Sequence, residues 1–432
     1  MTSTFSSHGL SQLPILLLYL DPGTGSLLFS IVMGAVTTAF FVLKGVWFNA
    51  RAYLRKGGET ADVSSEKQAL VIYSEGKQYA NTFRPLLKEL ELRGIACLYL
   101  SSDETDPLLQ SASSIVKTRC IGNGHSAWGY LNTLRADVCL MTTPGLDVLQ
   151  IRRSRHVKHY SHVIHSPTDK AFNRPYSFDY FDSIFVCGPH EVRTLRYLEN
   201  LRHSKAKSIF LAGCVYYDEM AAAIKTAKRS NASATPRVLV APTWGKNGLL
   251  TRFGMRLLAP LRQSGMHVTV RPHPQSQISE PEVLLELKTA TDGWDNLIWD
   301  DTSSPLAAMA DSDVLVSDIS GIVFDYAFLT EKPVITLSFQ PEKRGFEASD
   351  LPYEPWELSV FDVVGRQLAE DRLEELPQQI AAELSSPARA SAIRRLREEY
   401  VVNFGAAAPH VVDQLESLLG YARPQVPALC AT

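Results

Sequence analysis

Short apolar segments alternate with helix-periodic segments along most of this chain of 432 residues. The first apolar segment is ALVIYS at 69–74, an amphipathic stretch follows at 79–94, and ACLYLS at 96–101 repeats the apolar pattern. Near-continuous apolar strands separated by helices are typical of parallel sheets that helices cover on both faces. The sequence therefore predicts an α/β fold built on parallel sheets.

The alternation forms two series, which the polar stretch KTAKRSNASATP at 225–236 separates. Each series predicts one doubly wound, Rossmann-like domain, and in such domains ligands bind where the carboxyl ends of the strands face a cleft. Further strands are predicted at 137–143, 162–166, 183–188 and 208–213, and in the second series at 237–243, 267–272, 296–299, 314–318 and 333–338, with helices at 249–264, 281–291, 304–311 and 320–330.

These boundaries predict a division of the chain into six parts. They are a membrane anchor at 1–56, a linker at 57–67, an N-terminal Rossmann-like domain at 68–224, an interdomain linker at 225–236, a C-terminal Rossmann-like domain at 237–365 and a helical tail at 366–432. We expect the amphipathic tail to pack back across the two domains.

A stretch without any charged residue, LLFSIVMGAVTTAFFVL, occupies residues 27–43. It is long enough for one membrane-spanning helix, which needs roughly 17 to 25 residues. Arg51, Arg55 and Lys56 follow it, whereas Asp21 is the only formal charge ahead of it, and the positive flank stays in the cytoplasm. We predict a single-pass anchor in the inner (cytoplasmic) membrane with the globular body in the cytoplasm. The alternative is a buried helix of a soluble domain.

Composition argues against several other functions. A formal net charge of −3 does not suit a nucleic-acid-binding surface. The cysteines show no CxxC spacing, which indicates free, mostly buried thiols rather than a disulfide framework or a zinc site. Because no acidic pair has clear metal-ligand spacing, we predict neither a tightly bound metal nor a cofactor. The six cysteines are Cys97, Cys120, Cys139, Cys187, Cys214 and Cys430.

The segment VLVSDISGIVFDYAFLTEKPVI at 314–335 carries polar residues inside an otherwise apolar stretch. A buried strand is predicted to turn into a helix there, with Asp318 or Ser320 as the N-cap. The backbone N–H groups of residues 320–322 would then be unpaired within the helix and would attract a phosphate. Gly321 would let that ligand approach closely. In the simpler alternative Asp318 and Ser320 only cap the helix.

Asp325 lies one turn into the same predicted helix, too deep to cap it. The simpler alternative pairs it with a neighbour such as Lys332.

Two further segments, APTW at 241–244 and RPHP at 271–274, follow predicted strands of the same domain. The prolines of RPHP hold the backbone extended around His273, so its imidazole is available to donate to a phosphate oxygen. Because carboxyl ends of parallel strands meet at one edge, we expect these loops and the start of the helix after Asp318 to face one pocket. The alternative is an ordinary turn histidine.

HSPTDK at 165–170 follows a predicted strand of the first domain. His165 has a carboxylate and a cation nearby in this segment, and a histidine with a pKa near neutrality can act as a general base. Three other histidines, His156, His159 and His162, lie in the basic run RRSRHVKHYSH. We predict that this run is a solvated face.

Together these segments resemble the CDP-glycerol glycerophosphotransferase family, which builds teichoic-acid-type and related phosphopolyol polymers. VLVSDISGIVFDYAFLTEKPVI is similar to the family's most specific segment, and APTW, the HP of RPHP and HSPTDK occur in the family's order. The resemblance covers roughly residues 155–345. It implies a GT-B-like fold of two domains, with 68–224 as the acceptor domain and 237–365 as the nucleotide-binding domain. It also implies a reaction in which an acceptor hydroxyl attacks the β-phosphorus of a CDP-linked donor and releases CMP.

The resemblance also implies roles for individual residues. His165 is the expected catalytic base, and His273 and Asp325 are the other expected catalytic residues. The donor phosphates and nucleotide are assigned to Thr243, Arg271, His273, Asp318, Ser320 and Gly321, and the acceptor side to Thr168, Asp169 and Lys170. The implied acceptor is a lipid-linked molecule or surface polymer at the membrane, with no nucleic-acid partner.

The chain departs from the family pattern at Ser166 and Pro167, where the family has a glycine after the histidine, and at Ile319 and Gly321, which replace a tyrosine and a serine. Two alternative functions therefore stand beside the first. One is a GT-B glycosyltransferase that uses a CMP-linked sugar of the sialyl or Kdo type. The other is a non-catalytic, membrane-tethered binding protein.

Overall fold

The structure is a computed structural model that describes residues 32–34, 36–40, 43–44, 66–111, 113–227, 235–302, 304–338 and 341–421. The chain divides into two units, Met1–Val63 and Ser64–Thr432. In the first unit the described residues are helical, and no helix in the described part of the chain is long and apolar enough to cross a membrane. The predicted span at 27–43 and the linker at 57–67 lie partly outside the described residues. Cys430 lies wholly outside them.

In the described part of the second unit, seven parallel strands form a first sheet in the order β3-β2-β1-β4-β5-β6-β7. The order reverses between β1 and β4, which is where doubly wound sheets bind ligands. The strands are β1 (Gln68–Ser74), β2 (Cys97–Ser101), β3 (Val116–Cys120), β4 (Ala136–Met141), β5 (Val157–Val163), β6 (Ser183–Val186) and β7 (Ser208–Leu211), and the helices are Ala80–Leu92, His125–Leu131, Pro189–Arg202 and Tyr216–Thr226.

A second parallel sheet has the order β10-β9-β8-β11-β12-β13 among the described residues. Its order reverses between β8 and β11. The strands are β8 (Arg237–Val240), β9 (His267–Val270), β10 (Leu297–Trp299), β11 (Val314–Ser317), β12 (Val334–Ser338) and β13 (Gly365–Ala369). The helices are Leu249–Phe253, Met255–Gln263, Ser276–Ser279, Pro281–Ala290, Leu306–Asp311, Ile322–Thr330, Trp356–Ser359, Phe361–Val364, Leu376–Leu384, Arg389–Tyr400 and Ala407–Leu419.

Each sheet has its own apolar core. Leu70 and Ile72 of β1 pack with Phe83 of the helix Ala80–Leu92, and all three side chains are almost fully buried. The last helix, Ala407–Leu419, follows the second sheet in the chain, yet its buried residues belong to the core of the first. The expectation that the tail packs back across the domains is confirmed.

Several elements differ from the sequence prediction for identifiable physical reasons. β3 and β13 were missed because most side chains of these edge strands are not buried. β5 begins at Val157, before the predicted 162, because polar and apolar residues mix along it. The helix predicted at 249–264 is interrupted at Gly254, whose φ of 46° lies outside the right-handed helical region. The described cysteines are all free.

Candidate active site

A cleft of about 240 Å³ lies where loops from both sheets meet. The loop after β5 contributes His165, Thr168 and Lys170. The start of the helix Ile322–Thr330 contributes Ser320 and Gly321. The structure therefore brings together five of the residues that the sequence predicted as site residues, from segments about 150 positions apart in the chain.

The start of the helix Ile322–Thr330 presents free backbone amides. Gly321 precedes the helix, and no side chain in the described part of the chain caps it. The Ser320 amide donates to the Asp318 carbonyl at 2.9 Å, and the Val323 amide to the Ser320 carbonyl at 3.1 Å. The amides of Gly321 and Ile322 have no acceptor among the described residues. Unpaired amides at the positive end of a helix favour a bound anion.

Asp318 does not cap this helix, so that prediction is wrong. Its side chain is fully buried and accepts from the Thr243 amide at 2.8 Å and the Leu249 amide at 3.2 Å. Burial raises the pKa of Asp318 to about 6, against the opposing effect of these two amides. Asp318 and Thr243 therefore join the loops after β11 and β8, and neither lines the cleft.

His165 is oriented by Thr142, whose hydroxyl lies 2.7 Å from Nδ1. This contact leaves Nε2 as the ring nitrogen available to a substrate. The Tyr79 ring packs edge-on against the imidazole, with the ring centroids 5.1 Å apart. Burial, and then the charge of Lys170, lowers the pKa of His165 to about 3. The expectation of a pKa near neutrality is therefore wrong for the unliganded protein, and its imidazole is neutral at physiological pH.

Lys170 holds the loop that follows His165. Its ammonium group donates to the Ser166 carbonyl at 2.6 Å, to the Ser166 hydroxyl at 2.9 Å and to the Thr168 hydroxyl at 3.2 Å. The Pro167 carbonyl lies 2.6 Å from a ring nitrogen of His190. Ser166 and Pro167, which depart from the family pattern, therefore do not keep His165 out of the cleft.

Arg271 and His273 were expected beside the helix start, but neither lines this cleft. Arg271 donates to the Asp300 carboxylate at 2.6 Å and to the Thr302 carbonyl at 2.8 Å. His273 accepts from the Gln275 amide at 3.1 Å through Nδ1, and burial lowers its pKa. The imidazoles that line the cleft with the helix start are those of His162 and His165.

Asp169 and Asp325 support the surrounding structure. Asp169 accepts from the Trp356 amide at 2.7 Å, which ties the loop after β5 to the segment after β12. Asp325 accepts from the Tyr217 hydroxyl at 2.9 Å, and burial raises its pKa to about 7. The alternative pairing with Lys332 is wrong, because that ammonium group donates to backbone carbonyls.

Two buried titratable residues of the cleft were missed or misplaced by sequence reasoning. His162 lies on β5, is 2% exposed and lines the cleft, so the prediction of a solvated face is wrong for it. Glu357 also lines the cleft and is 4% exposed. No apolar periodicity marked the segment EPWELS around Glu357, so the sequence carried no signal for it.

A larger cavity of about 720 Å³ shares Ile319 and Phe361 with the cleft. Its lining is mostly polar and carries two cations, Arg252 and Lys343, and four carboxyl groups, those of Glu342, Glu354, Asp362 and Glu370. Ligand sites for small molecules usually measure roughly 300 to 1,000 Å³. The two spaces together are large enough for a nucleotide-linked substrate.

A sequence model of the CDP-glycerol:poly(glycerophosphate) glycerophosphotransferase family matches residues 67–370, more than half of the chain. The chain belongs to this family. The resemblance drawn from the sequence segments is confirmed, and this glycerophosphotransferase-family protein is a transferase. A search of curated proteins found no match.

Solved structures show the fold of this family member. The wall teichoic acid polymerase TagF is 15% identical over 84% of this chain and 91% of its own, with a TM-score of 0.52. UDP-GlcNAc 2-epimerase from Methanocaldococcus jannaschii is 13% identical over 82% of this chain and 100% of its own, with a TM-score of 0.52. MnaA of S. aureus, bound to UDP, is 14% identical over 83% of this chain and 98% of its own, with a TM-score of 0.54. At these identities the likeness shows the α/β, GT-B-like fold alone.

Proposed function

We propose that this family member transfers a glycerol-phosphate or related polyol-phosphate group from a CDP-linked donor to an acceptor hydroxyl and releases CMP. One observation carries the proposal: the imidazole of His165 shares a cleft with the unpaired amides that open the helix Ile322–Thr330. A base and an anion site within one small cleft suit the transfer of a phosphoryl group.

The chemistry follows from these two groups. The acceptor oxygen forms a bond to the β-phosphorus of the donor, and the bond from that phosphorus to the oxygen of CMP breaks. The acceptor proton passes to Nε2 of His165, and the amides of Gly321 and Ile322 stabilise negative charge on the transferred group. Catalysis of this type depends mainly on positioning and charge stabilisation.

We further propose that the acceptor is lipid-linked or a surface polymer, and that the protein acts on the cytoplasmic side of the inner membrane. The support is the uncharged stretch at 27–43 followed by Arg51, Arg55 and Lys56. Retention of the full chain in membranes after an alkaline carbonate wash is the expected result. Release into the wash would contradict a membrane-spanning anchor.

The decisive experiment measures CMP release from CDP-glycerol in the presence of a lipid-linked acceptor. We expect His165→Ala to lower the rate by at least about 100-fold, since general base catalysis typically contributes that much or more. His156→Ala is the matched control, because His156 is exposed on the same stretch of chain. Wild-type rates in the His165→Ala protein would contradict the proposed mechanism.

The donor class is tested separately by thermal unfolding. A ligand that binds the folded protein raises its melting temperature. We expect CDP-glycerol or CDP-ribitol to raise the melting temperature and CMP-sialic acid to leave it unchanged. A rise with CMP-sialic acid alone would favour the sugar-transferase alternative.

A further inference from the structure

Glu357 is a buried carboxyl group in the cleft to which neither the family resemblance nor the proposed mechanism assigns a role. It lies in the first turn of the helix Trp356–Ser359. The preceding amide, that of Trp356, donates to Asp169 at 2.7 Å, and the Trp356 ring packs on Phe324 with centroids 5.0 Å apart. Because Phe324 belongs to the helix Ile322–Thr330, Glu357 is held rigidly relative to the helix start that offers the free amides.

The surroundings of Glu357 determine its charge. The loop after β5 brings Asp169, Lys170 and the Thr168 hydroxyl near it. Burial has the largest effect, the Asp169 carboxylate adds to it and the Lys170 ammonium opposes it, and together they raise the pKa of Glu357 to about 8. The carboxyl group is therefore mostly protonated at neutral pH.

Charged groups from the other neighbouring elements are already engaged. On the helix Pro189–Arg202, Glu191 lies 3.9 Å from the Lys170 ammonium group. On the helix Ile322–Thr330, Asp325 accepts from Tyr217. Burial lowers the pKa of His165, the other titratable group of the loop after β5 that lines the cleft, so it adds no positive charge near Glu357.

A comparison with Glu191 separates a structural carboxyl group from one aimed at a ligand. Glu191 is also buried, and burial raises its pKa to about 8 as well. However, one Glu191 oxygen accepts from the amides of Cys187 and Gly188, and the residue does not line the cleft. Glu357 accepts from no backbone amide among the described residues and lines the cleft with His165. Its carboxyl group therefore remains available to a ligand in the cleft.

We propose that Glu357, as a neutral carboxylic acid, donates a hydrogen bond to a phosphoryl oxygen of the donor diphosphate bound at the start of the helix Ile322–Thr330. The inference rests on the proposed function, since it requires a diphosphate in the cleft. The Glu357 proton stays on the carboxyl group throughout, so the bonds made and broken in the transfer are unchanged. An ionised Glu357 would instead repel the phosphate.

The test is the affinity for CDP-glycerol from pH 6 to pH 9, measured by calorimetry with the full chain. The donor diphosphate is fully ionised throughout this range, so changes in affinity report on the protein. For the wild type we expect affinity to fall about tenfold between pH 7 and pH 9 as Glu357 ionises. Glu357→Gln keeps a hydrogen-bond donor that cannot ionise. We therefore expect near wild-type affinity at pH 7 and no fall in affinity between pH 7 and pH 9.

Two further variants complete the design. Glu374→Gln, which removes a carboxyl group from an exposed position outside both cavities, should retain the wild-type fall in affinity between pH 7 and pH 9. Glu357→Ala should bind about tenfold more weakly at pH 7, because it has no donor. Melting temperatures of all variants establish that each is folded.

The outcomes separate the inference from the proposed function. If Glu357→Gln shows the same fall as the wild type, or binds as weakly as Glu357→Ala at pH 7, the inference is overturned while the transferase function stands. If the wild type does not bind CDP-glycerol, the same titration with CDP-ribitol tests the proposed function and the inference. Absence of binding by both would overturn the proposed function, and the inference with it.

Discussion

Asp318 shows how a residue that looks like a helix cap can have a different task. Its carboxylate accepts from the Thr243 and Leu249 amides, and so fixes the two loops at the point where the strand order of the second sheet reverses. The free amides at Gly321 and Ile322 exist because no side chain caps the helix. A residue that did cap it would compete with the anion for the same donors.

The burial of Asp318 predicts a specific pH dependence of stability. Its pKa rises from 3.8 to about 6 on folding. The unfolded chain therefore loses this proton first as pH rises, and stability falls between about pH 4 and pH 6, by up to about 3 kcal/mol. Asp318→Asn removes this contribution. Urea unfolding at pH 4, 5, 6 and 7 gives the free energy of unfolding at each pH. We expect this free energy to fall less steeply with rising pH for Asp318→Asn than for the wild type. Parallel slopes would contradict the assignment.

Thr142 is predicted to act through His165. Because its hydroxyl lies 2.7 Å from Nδ1, Thr142→Val should leave the imidazole without this orienting contact. We expect CMP release to slow by about 10- to 100-fold with little change in CDP-glycerol affinity, since positioning affects the chemical step more than donor binding. Thr133→Val, at an exposed position, is the control. A loss of affinity as large as the loss of rate would argue against a positioning role.

At the scale of elements, the start of the helix Ile322–Thr330 can be tested at Gly321. Gly321 has a φ of −56°, and a Cβ atom added there would meet no protein atom within 4 Å. Gly321→Ala should therefore raise stability, by about 0.4 to 1 kcal/mol. The added methyl group would stand in the cleft beside the free amides, so we expect affinity for CDP-glycerol to fall at least about tenfold. Thermal unfolding and calorimetry measure the two effects.

Gly129 is the matched control for Gly321. It lies inside the helix His125–Leu131, and a Cβ atom added there also meets nothing within 4 Å. Gly129→Ala should stabilise by a similar amount, about 1 kcal/mol, because glycine is a poor helix former. Its affinity for CDP-glycerol should not change. If both variants bind like the wild type, the helix start is not the anion site.

The sequence predicted those elements in which burial dominates the residue pattern. β1, β2 and β11 are mostly apolar and their ends were predicted within one residue. β3 (VKTRC) and β13 (GRQLA) were missed, because edge strands with exposed side chains lack an apolar pattern. The strand that carries His162 was shifted for a similar reason, since its polar residues are buried by tertiary contacts that no local pattern encodes.

The candidate site was predictable in part. His165 and Gly321 were identified because each follows an apolar strand, and the carboxyl ends of parallel strands bind ligands. The same rule placed His273 in the pocket incorrectly, because sequence order does not give the lateral position of a strand. His273 follows β9, which β8 separates from β11. Glu357 comes from a short helix after the last apolar strand, and only the folded chain brings it to the cleft.

At the scale of the whole molecule, the two sheets depend on each other through the return of the chain. Ala407, Val411 and Leu415 of the last helix are buried in the core of the first sheet. Asp218 accepts from the amides of Ala407 and Ala408 at 2.8 and 2.7 Å, which satisfies the start of that helix. The core of the first sheet is thus completed by residues that follow the second sheet in sequence.

A buried ion pair provides a second link between the two halves. Arg202, at the end of the helix Pro189–Arg202, pairs with Glu347 and Asp350 of the segment after β12, and with Asp179. Glu347 is 1% exposed and also accepts from the Ser177 amide. Both charges are withdrawn from water, so each depends on the other for compensation.

Removing one partner of this buried pair should therefore lower the free energy of unfolding. We expect Arg202→Met to lower the free energy of unfolding by about 3 to 5 kcal/mol, since it leaves the Glu347 carboxylate buried without its cation. Adding Glu347→Gln removes that charge, so the double variant should be more stable than Arg202→Met alone. The surface pair of Lys288 and Asp301 is the control, and Lys288→Met should cost less than about 1 kcal/mol. Chemical denaturation measures all four proteins. A double variant less stable than Arg202→Met would show that the pair contributes little through its charges, and that the packing of the Arg202 side chain holds the two halves together.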